Sequence, residues 1–267
     1  MKVEKKESSN YYDKVNETYE IEEARKRKLR RRKLKYIAIV TVMVGAFGYI
    51  CYQYLFGITS IEITGNSHYT TEEIAEAFGV SVGDKLFSYS RSEKENLILE
   101  KFPYISECSI TRTLPEKVTV TVKEREAAMY TLISGKYVLF DAESIALEIS
   151  ETPVDGLLLV NFNENIIRKC IPGEKIVFSD EKTGVGLKRV YTAIQESEIK
   201  SKIKYITVES RFDYYLQYEE KHNVYLGDSN DCPSKLLFLQ GIITKLYEED
   251  EGTIDVSEVK KGTFIKN

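Results

Sequence analysis

The spacing of apolar and polar positions changes along the chain, and each change marks an element. Residues 36–56, YIAIVTVMVGAFGYICYQYLF, form one uncharged run of 21 positions. As a helix such a run reaches about 31 Å, close to the hydrocarbon thickness of a bilayer, so it predicts a single N-terminal membrane-spanning helix. From Ile58 the period shortens to two. In ITSIEIT, Ile61 and Ile63 share a face, which predicts a half-buried strand ending at Gly65-Asn66. Thr70 and Glu73 have the spacing of a capping box, and Ile74, Ala77 and Phe78 align on a helical face that ends at Gly79. A second helix starts at Ser90 or Ser92, takes its apolar side from Leu97, Ile98 and Phe102, and stops at Pro103. Strands follow over 105–111 and 117–123, joined by a turn at Leu114-Pro115-Glu116, with Val118, Val120 and Val122 alternating on one face. This order of strand, helix, helix, strand, strand predicts two helices packed on a small three-stranded sheet.

After Arg125 the pattern is mostly strand. KYVLFDAESIALEI reads as a hairpin turning at 141–144, and GLLLVNF, KYITVES, FDYYLQYE and NVYLGDS are short runs of β-forming residues. Two helices interrupt them. One aligns Leu187, Val190, Tyr191 and Ile194; the other, CPSKLLFLQGIITKLYEE, aligns Leu236, Leu239, Ile243 and Leu246. After an acidic turn at 248–252, GTIDVSEV is expected to be the terminal strand, with Ile254 and Val256 on one face and Asp255 and Ser257 on the other. The chain is thus predicted to be α+β: one membrane helix, a β-α-α-β-β domain, and a mostly antiparallel β domain with two helices.

Charge gives the membrane helix a direction. The net charge is −4, but residues 1–35 alone carry +6, leaving −10 for the rest. Nine basic residues stand in the eleven positions 25–35: Arg25, Lys26, Arg27, Lys28, Arg30, Arg31, Arg32, Lys33 and Lys35. A basic flank places that side in the cytoplasm. The apolar run is longer than that of a signal peptide and lacks a small-residue cleavage pattern, so an uncleaved anchor is expected. The basic block is better read as orienting the span and attracting anionic lipid than as a nucleic-acid arm. Cys51, Cys108, Cys170 and Cys232 form no close pairs and read as buried free thiols, a single disulfide being the alternative.

Reactive groups are scarce. His68 and His222 are the two histidines, and neither belongs to a metal-ligand spacing; His68 reads as a surface residue. His222 and Cys232 could pair as base and nucleophile in a sortase-like enzyme, but the arginine such enzymes carry after the cysteine is missing, Arg211 being the last. GVSVGDK at 79–85 fails the phosphate-loop spacing, and the GVG at 184–186 lacks the third glycine of a dinucleotide fingerprint. No catalytic residue, metal or cofactor is expected.

ITSIEITGN, the run R-x-L-P-x-x-V-x-V-x-V-x-E-R from Arg112 to Arg125, and GTIDV at 252–256 follow the basic tail and single span in an order that resembles the FtsQ/DivIB cell-division proteins, DivIB of Gram-positive bacteria in particular. The resemblance covers nearly the whole chain. It implies a cytoplasmic tail at 1–35, a transmembrane helix at 36–56, a POTRA domain at 58–125, the family's β domain at 126–258 and a short C-terminal tail at 259–267, where many DivIB members carry a long disordered one. It further implies a non-enzymatic, single-pass type II scaffold at the division septum. Its partners would be FtsL-like and DivIC/FtsB-like single-span proteins and other divisome and septal wall-synthesis proteins, with no nucleic acid and no small-molecule substrate, and it would help to regulate septal peptidoglycan synthesis. The implied partner contact falls on Thr253, Ile254, Asp255, Val256, Ser257 and Glu258, with Phe264 a further aromatic contact. The alternatives are a POTRA-type secretion or assembly factor and a membrane-anchored envelope enzyme. The first would call for a lipid-facing barrel pattern, which the strand runs do not show.

Overall fold

The computed structural model describes residues 4–247, 249–259 and 261–266. Residues 1–3 of the basic tail, Glu248 of the acidic turn, and Lys260 and Asn267 of the anticipated C-terminal tail lie outside the described residues, as do the side chains of 4–24 and Gln53. Two compact units are present. One runs through Ser60 and takes in Ser81–Ser88 and Arg112–Lys117; the other comprises Ile61–Val80, Tyr89–Thr111 and the chain from Val118 onward.

The first unit is dominated by α1 (Glu4–Leu55), in which the charged segment and the apolar run form one continuous helix. Within it Arg25–Tyr52 is long and apolar enough to cross a membrane, and none of its apolar window is buried against protein. An apolar helix left uncovered by its own chain fits a membrane anchor. Just beyond it the backbone is knitted locally. Ile58 N–H donates to Asp84 C=O (2.8 Å), Thr59 N–H to Glu116 C=O (2.9 Å) and Leu86 N–H to Phe56 C=O (2.9 Å), with Ile58 and Leu86 fully buried.

The second unit begins with most of β1 (Ser60–Thr64), then α2 (Thr71–Phe78), α3 (Arg91–Lys101) and most of β2 (Ile105–Thr113) and β3 (Lys117–Glu124), the strands pairing in the order β1-β3-β2. The anticipated capping box at α2 is complete: Thr70 Oγ1 accepts from Glu73 N–H and the Glu73 carboxylate accepts from Thr70 N–H. Gly79 ends the helix in the left-handed region, and Ser90 is the N-cap of α3. Ile74, Phe78, Ile98, Val118, Val120 and Val122 are buried. Leu97, expected on the apolar side of α3, is instead 41% exposed, because the single buried position of that helix is Ile98.

The β1–α2 turn is fixed from β3. Gly65 has φ +87°, and a Cβ there would stand 1.9 Å from Val122 C=O, so only glycine fits. The carboxylate of Glu124 then accepts three successive backbone N–H groups, from Ser67 (2.8 Å), His68 (2.6 Å) and Tyr69 (3.2 Å). Next in sequence, Arg125 donates its own N–H to Tyr104 C=O and ion-pairs with Asp141 at 3.0 Å. The Asp141 side chain is only 8% exposed and also accepts from the Glu143 and Ile145 amides, which shapes the predicted hairpin turn.

The larger domain contains β4 (Met129–Ile133), β5 (Lys136–Phe140), β6 (Ala146–Ser150), β7 (Leu158–Phe162), a small ribbon of β8 (Ile167–Lys169) and β9 (Val177–Phe178), then α4 (Lys182–Glu196), β10 (Ile203–Ser210), β11 (Asp213–Tyr218), β12 (His222–Gly227), α5 (Cys232–Ile243), β13 (Gly252–Glu258) and β14 (Lys261–Lys266). Nine strands form one sheet in the order β14-β13-β12-β11-β10-β7-β4-β5-β6. Five of its neighbouring pairs are antiparallel; β12/β13, β10/β7 and β4/β7 are parallel. Parallel pairs need long crossovers, and α4 and α5 sit in two of them. Their apolar stripes, including Leu187, Val190, Ile194, Leu236 and Leu239, share a core with Ile206, Tyr214, Leu216, Val224, Ile254 and Val256.

Four expectations change here. Helix α5 stops at Ile243, not near Glu249: Gly241 and the β-branched run Ile242-Ile243-Thr244 propagate a helix poorly, and Thr244 Oγ1 turns back to Gly241 C=O. Strands β4, β8 and β9 were not anticipated. The segment expected as a C-terminal tail contains β14, so β13 is not terminal. All four cysteines are free, and of these only Cys232 is fully buried.

Glu124→Ala strips three backbone donors of one charged acceptor. Charge-assisted bonds of this kind predict a loss of about 2 kcal/mol, to be read from urea unfolding of the detergent-solubilised chain; a change within a few tenths would contradict this role.

Candidate partner-binding edge

The sheet ends in a layered edge, β12-β13-β14. Strand β13 runs parallel to β12, with Val224 opposite Ile254, and antiparallel to β14, with Ile254 opposite Phe264 and Gly252 opposite Lys266. At Gly252 the strands come so close that a Cβ would stand 2.1 Å from Ile265 C=O, which accounts for the glycine opening GTIDV. Ion pairs hold both ends of the outer strand: Lys266 with Asp250 (2.8 Å) and Lys261 with Glu258 (3.1 Å). Lys266 and the Tyr247 amide together hold the Asp250 carboxyl below the usual carboxylate range.

The sequence-predicted contact residues separate into three groups. Ile254 and Val256 are 0% exposed and lie in the core, so they cannot meet a partner while the domain is folded. Thr253, Asp255 and Ser257 are half-buried on the opposite face, where Asp255 Oδ1 accepts from Ser257 N–H, and Glu258 is exposed. Phe264 turns its ring inward, edge-on to His222 at 6.0 Å. The expected free edge of β13 is therefore a correction: β14 covers it. Among the described residues β14 has no neighbour on its outer side, and its Ile265 is 60% exposed. Sequence reasoning missed Lys261, Thr263 and Ile265. The signal available was the β-forming triplet Thr263-Phe264-Ile265, read as tail because charged residues and Gly262 precede it.

His222 supports this edge from beneath. It is 5% exposed, lies between Tyr218 and Phe264, and among the described residues its Nδ1 has no hydrogen-bond partner. Burial pushes its pKa below the ordinary imidazole value; Lys221 acts in the same direction, while Glu219, Asp250 and Glu251 oppose it.

The other candidates serve packing. Cys232 is 1% exposed, and burial pushes its thiol up to about 11, the wrong direction for a nucleophile. Gly184 and Gly186 lie in α4 against the rings of Phe178 and Tyr214, so the GVG is a packing notch. His68 is exposed and stacks on Tyr104 at 3.8 Å. The nine basic residues from Arg25 to Lys35 are exposed along α1. Among the described residues no cluster of His, Cys, Asp and Glu is arranged to hold a metal.

Comparison with known proteins locates the similarity. Residues 56–125 match the family described as POTRA domain, FtsQ-type. The cell division protein DivIB of Clostridium botulinum strain Loch Maree is 26% identical over 241 residues, 86% of this chain and 90% of that protein. DivIB of C. botulinum strain Hall is 29% identical over 152 residues, 54% of this chain and 58% of that protein, so that match spans less than two thirds of the relative. The cell division protein FtsQ of Corynebacterium glutamicum is 21% identical over 210 residues, 78% of this chain and 89% of that protein.

The lowered pKa of His222 predicts an acid-sensitive edge. The neutral imidazole favours the closed edge above its ordinary pKa of about 6.5, and that stabilisation is lost as the pH falls through the lowered native value. Hydrogen exchange of the β14 amides, corrected for intrinsic rates, is expected to be faster at pH 5 than at pH 7. Asp250 remains ionised at pH 5, so His222→Phe should abolish the difference; an unchanged pH dependence in that variant would remove His222 as its source.

Proposed function

We propose, for a chain that belongs to the FtsQ/DivIB family of cell-division proteins, the role of a non-enzymatic, single-pass scaffold whose exposed edge strand receives partner proteins. The observation that carries this reading is β14, the outer strand of the nine-stranded sheet, which among the described residues has no neighbour on one side. An unpaired strand edge offers a row of backbone donors and acceptors to which an extended segment can add. The lysines at its two ends limit indiscriminate pairing.

In this proposal 1–35 is cytoplasmic, 36–56 spans the membrane, 58–125 is the POTRA domain and 126–266 is the β domain, extended by β14 beyond the boundary expected at 258. The basic residues from Arg25 to Lys35 orient the span, and the folded domains lie outside the cell at the division septum. The partners are FtsL-like and DivIC/FtsB-like single-span proteins, whose assembly helps to regulate septal peptidoglycan synthesis. The contact passes from Thr253–Glu258, as sequence placed it, to the outer side of β14 and the neighbouring exposed Ile265.

Two substitutions separate this edge from the core. Ile265→Lys should reduce capture of the purified DivIC/FtsL-like pair at least tenfold with the melting temperature unchanged. Ile254→Ala should cost about 2–4 kcal/mol through a core cavity. Full capture by a folded Ile265→Lys chain would eliminate strand addition at β14.

A further inference from the structure

We infer that the groove between α4 and α5 is a second docking site, which takes an amphipathic helix of a partner protein antiparallel to α4, basic at its N-terminal end and acidic at its C-terminal end. This rests on the scaffold reading above but uses a different surface.

Both helices expose a stripe that the core does not need. On α4 it is Val185, Arg189, Thr192 and Glu196, at i, i+4, i+7 and i+11; on α5 it is Pro233, Leu237 and Gly241, at i, i+4 and i+8, continued by the C-cap Thr244, and all are exposed. Two hollows meet at Ala193, Glu196 and Pro233 to make the groove: one lies between the end of α4 and the α5 stripe, floored by the buried Ala193 and Leu236, and the other runs along the α4 stripe against the segment 229–233. Leu237 is 71% exposed and Val185 49%, and the space beside Gly241 is open. From Val185 to Glu196 the groove runs about 17 Å, three turns of a helix. Scattered apolar positions (Val185, Ala193, Pro233, Leu236 and Leu237) between polar rims are a form in which amphipathic helices are received.

Charge sets the direction of the occupant. The end of the groove near the start of α4 is lined by Lys188 and Arg189 together with Asp231, and the adjoining hollow adds Lys182, Arg211 and Asp228, of which Arg211 pairs with Asp180 and Asp228 with Lys235; the other end is lined by Glu196 and Glu198. Lys188 is ion-paired with Glu143, and Glu198 accepts from Gln240. Arg189 donates to the neutral Asn230, and Lys182 and Glu196 have no ion pair among the described residues. Helix α4 has no base in its last turn and ends in Glu196, so its acidic end faces the negative pole of its own dipole. Among the described residues Glu196 has no ion pair to offset this arrangement. A helix laid antiparallel would do so, with its positive N-terminal pole at Glu196 and its negative C-terminal pole at Arg189 and Lys182. A second copy of the chain is a poor occupant, because two concave grooves placed face to face leave both unfilled.

The test places a photo-crosslinking residue at Leu237 of the full chain in dividing host cells. The same residue at Gln195, exposed on the side of α4 away from α5, is the control, and one at Ile265 reports separately on β14. The expected result is a crosslink at Leu237, absent at Gln195, to a segment with apolar i, i+3/i+4 spacing, basic early and acidic late. Arg189→Glu with Glu196→Lys should lower that yield at least tenfold without lowering the melting temperature, and exchanging the charges of the mapped segment should restore it. A crosslink to a second copy, to a segment without this pattern, or at no more than the Gln195 level would overturn the proposal. Loss of the Ile265 crosslink alone would strike the edge-strand reading and leave the groove standing.

Discussion

Two adjacent side chains at the end of β3 hold the extramembrane fold in register. Glu124 gathers three consecutive amides of the turn that leads into α2, and Arg125 reaches the nearly buried carboxylate around which the β5–β6 turn is built. Successive residues of a strand point to opposite faces, so this one dipeptide can serve two neighbours at once. The three valines that precede it bury the sheet face on which its placement depends.

At the far end of the larger sheet the constraint is closeness. Gly252 lets β14 lie against β13, and that contact turns β13 from a candidate surface into part of the core. The exposed edge thereby moves one strand outward, to β14, whose main resource as a surface is its own backbone. A strand edge needs no activated nucleophile or metal, and the buried groups here follow that logic: Cys232 is kept protonated by burial, and the lone buried imidazole beneath the edge packs against Phe264. Helices α4 and α5, which pack on the sheet, expose a groove near whose two ends Lys182 and Glu196 have no ion pair among the described residues.

Much of this was legible in the residues. The uncharged run, the capping box at Thr70 and Glu73, and the alternation of Val118, Val120 and Val122 are local patterns whose energetics are set within a few positions, and the structure places each where its spacing implied. Short strands were less legible. Strands β8 and β9, of three and two residues, exist because a neighbour pairs with them, and no periodicity develops over such lengths.

The candidate site shows where local reading stops. Sequence by itself determined that Ile254 and Val256 lie on one face and Asp255 and Ser257 on the other, because alternation is a property of a single strand. Which face meets the core, and whether the strand has a free edge, were decided only by tertiary structure. Burial depends on α5 lying over one side of β13, and edge status depends on β14 returning antiparallel beside it. Both are contacts between segments distant in sequence or joined by a turn that carries no strong signal, and the same seven residues, Gly252–Glu258, would read identically at an edge or one strand in.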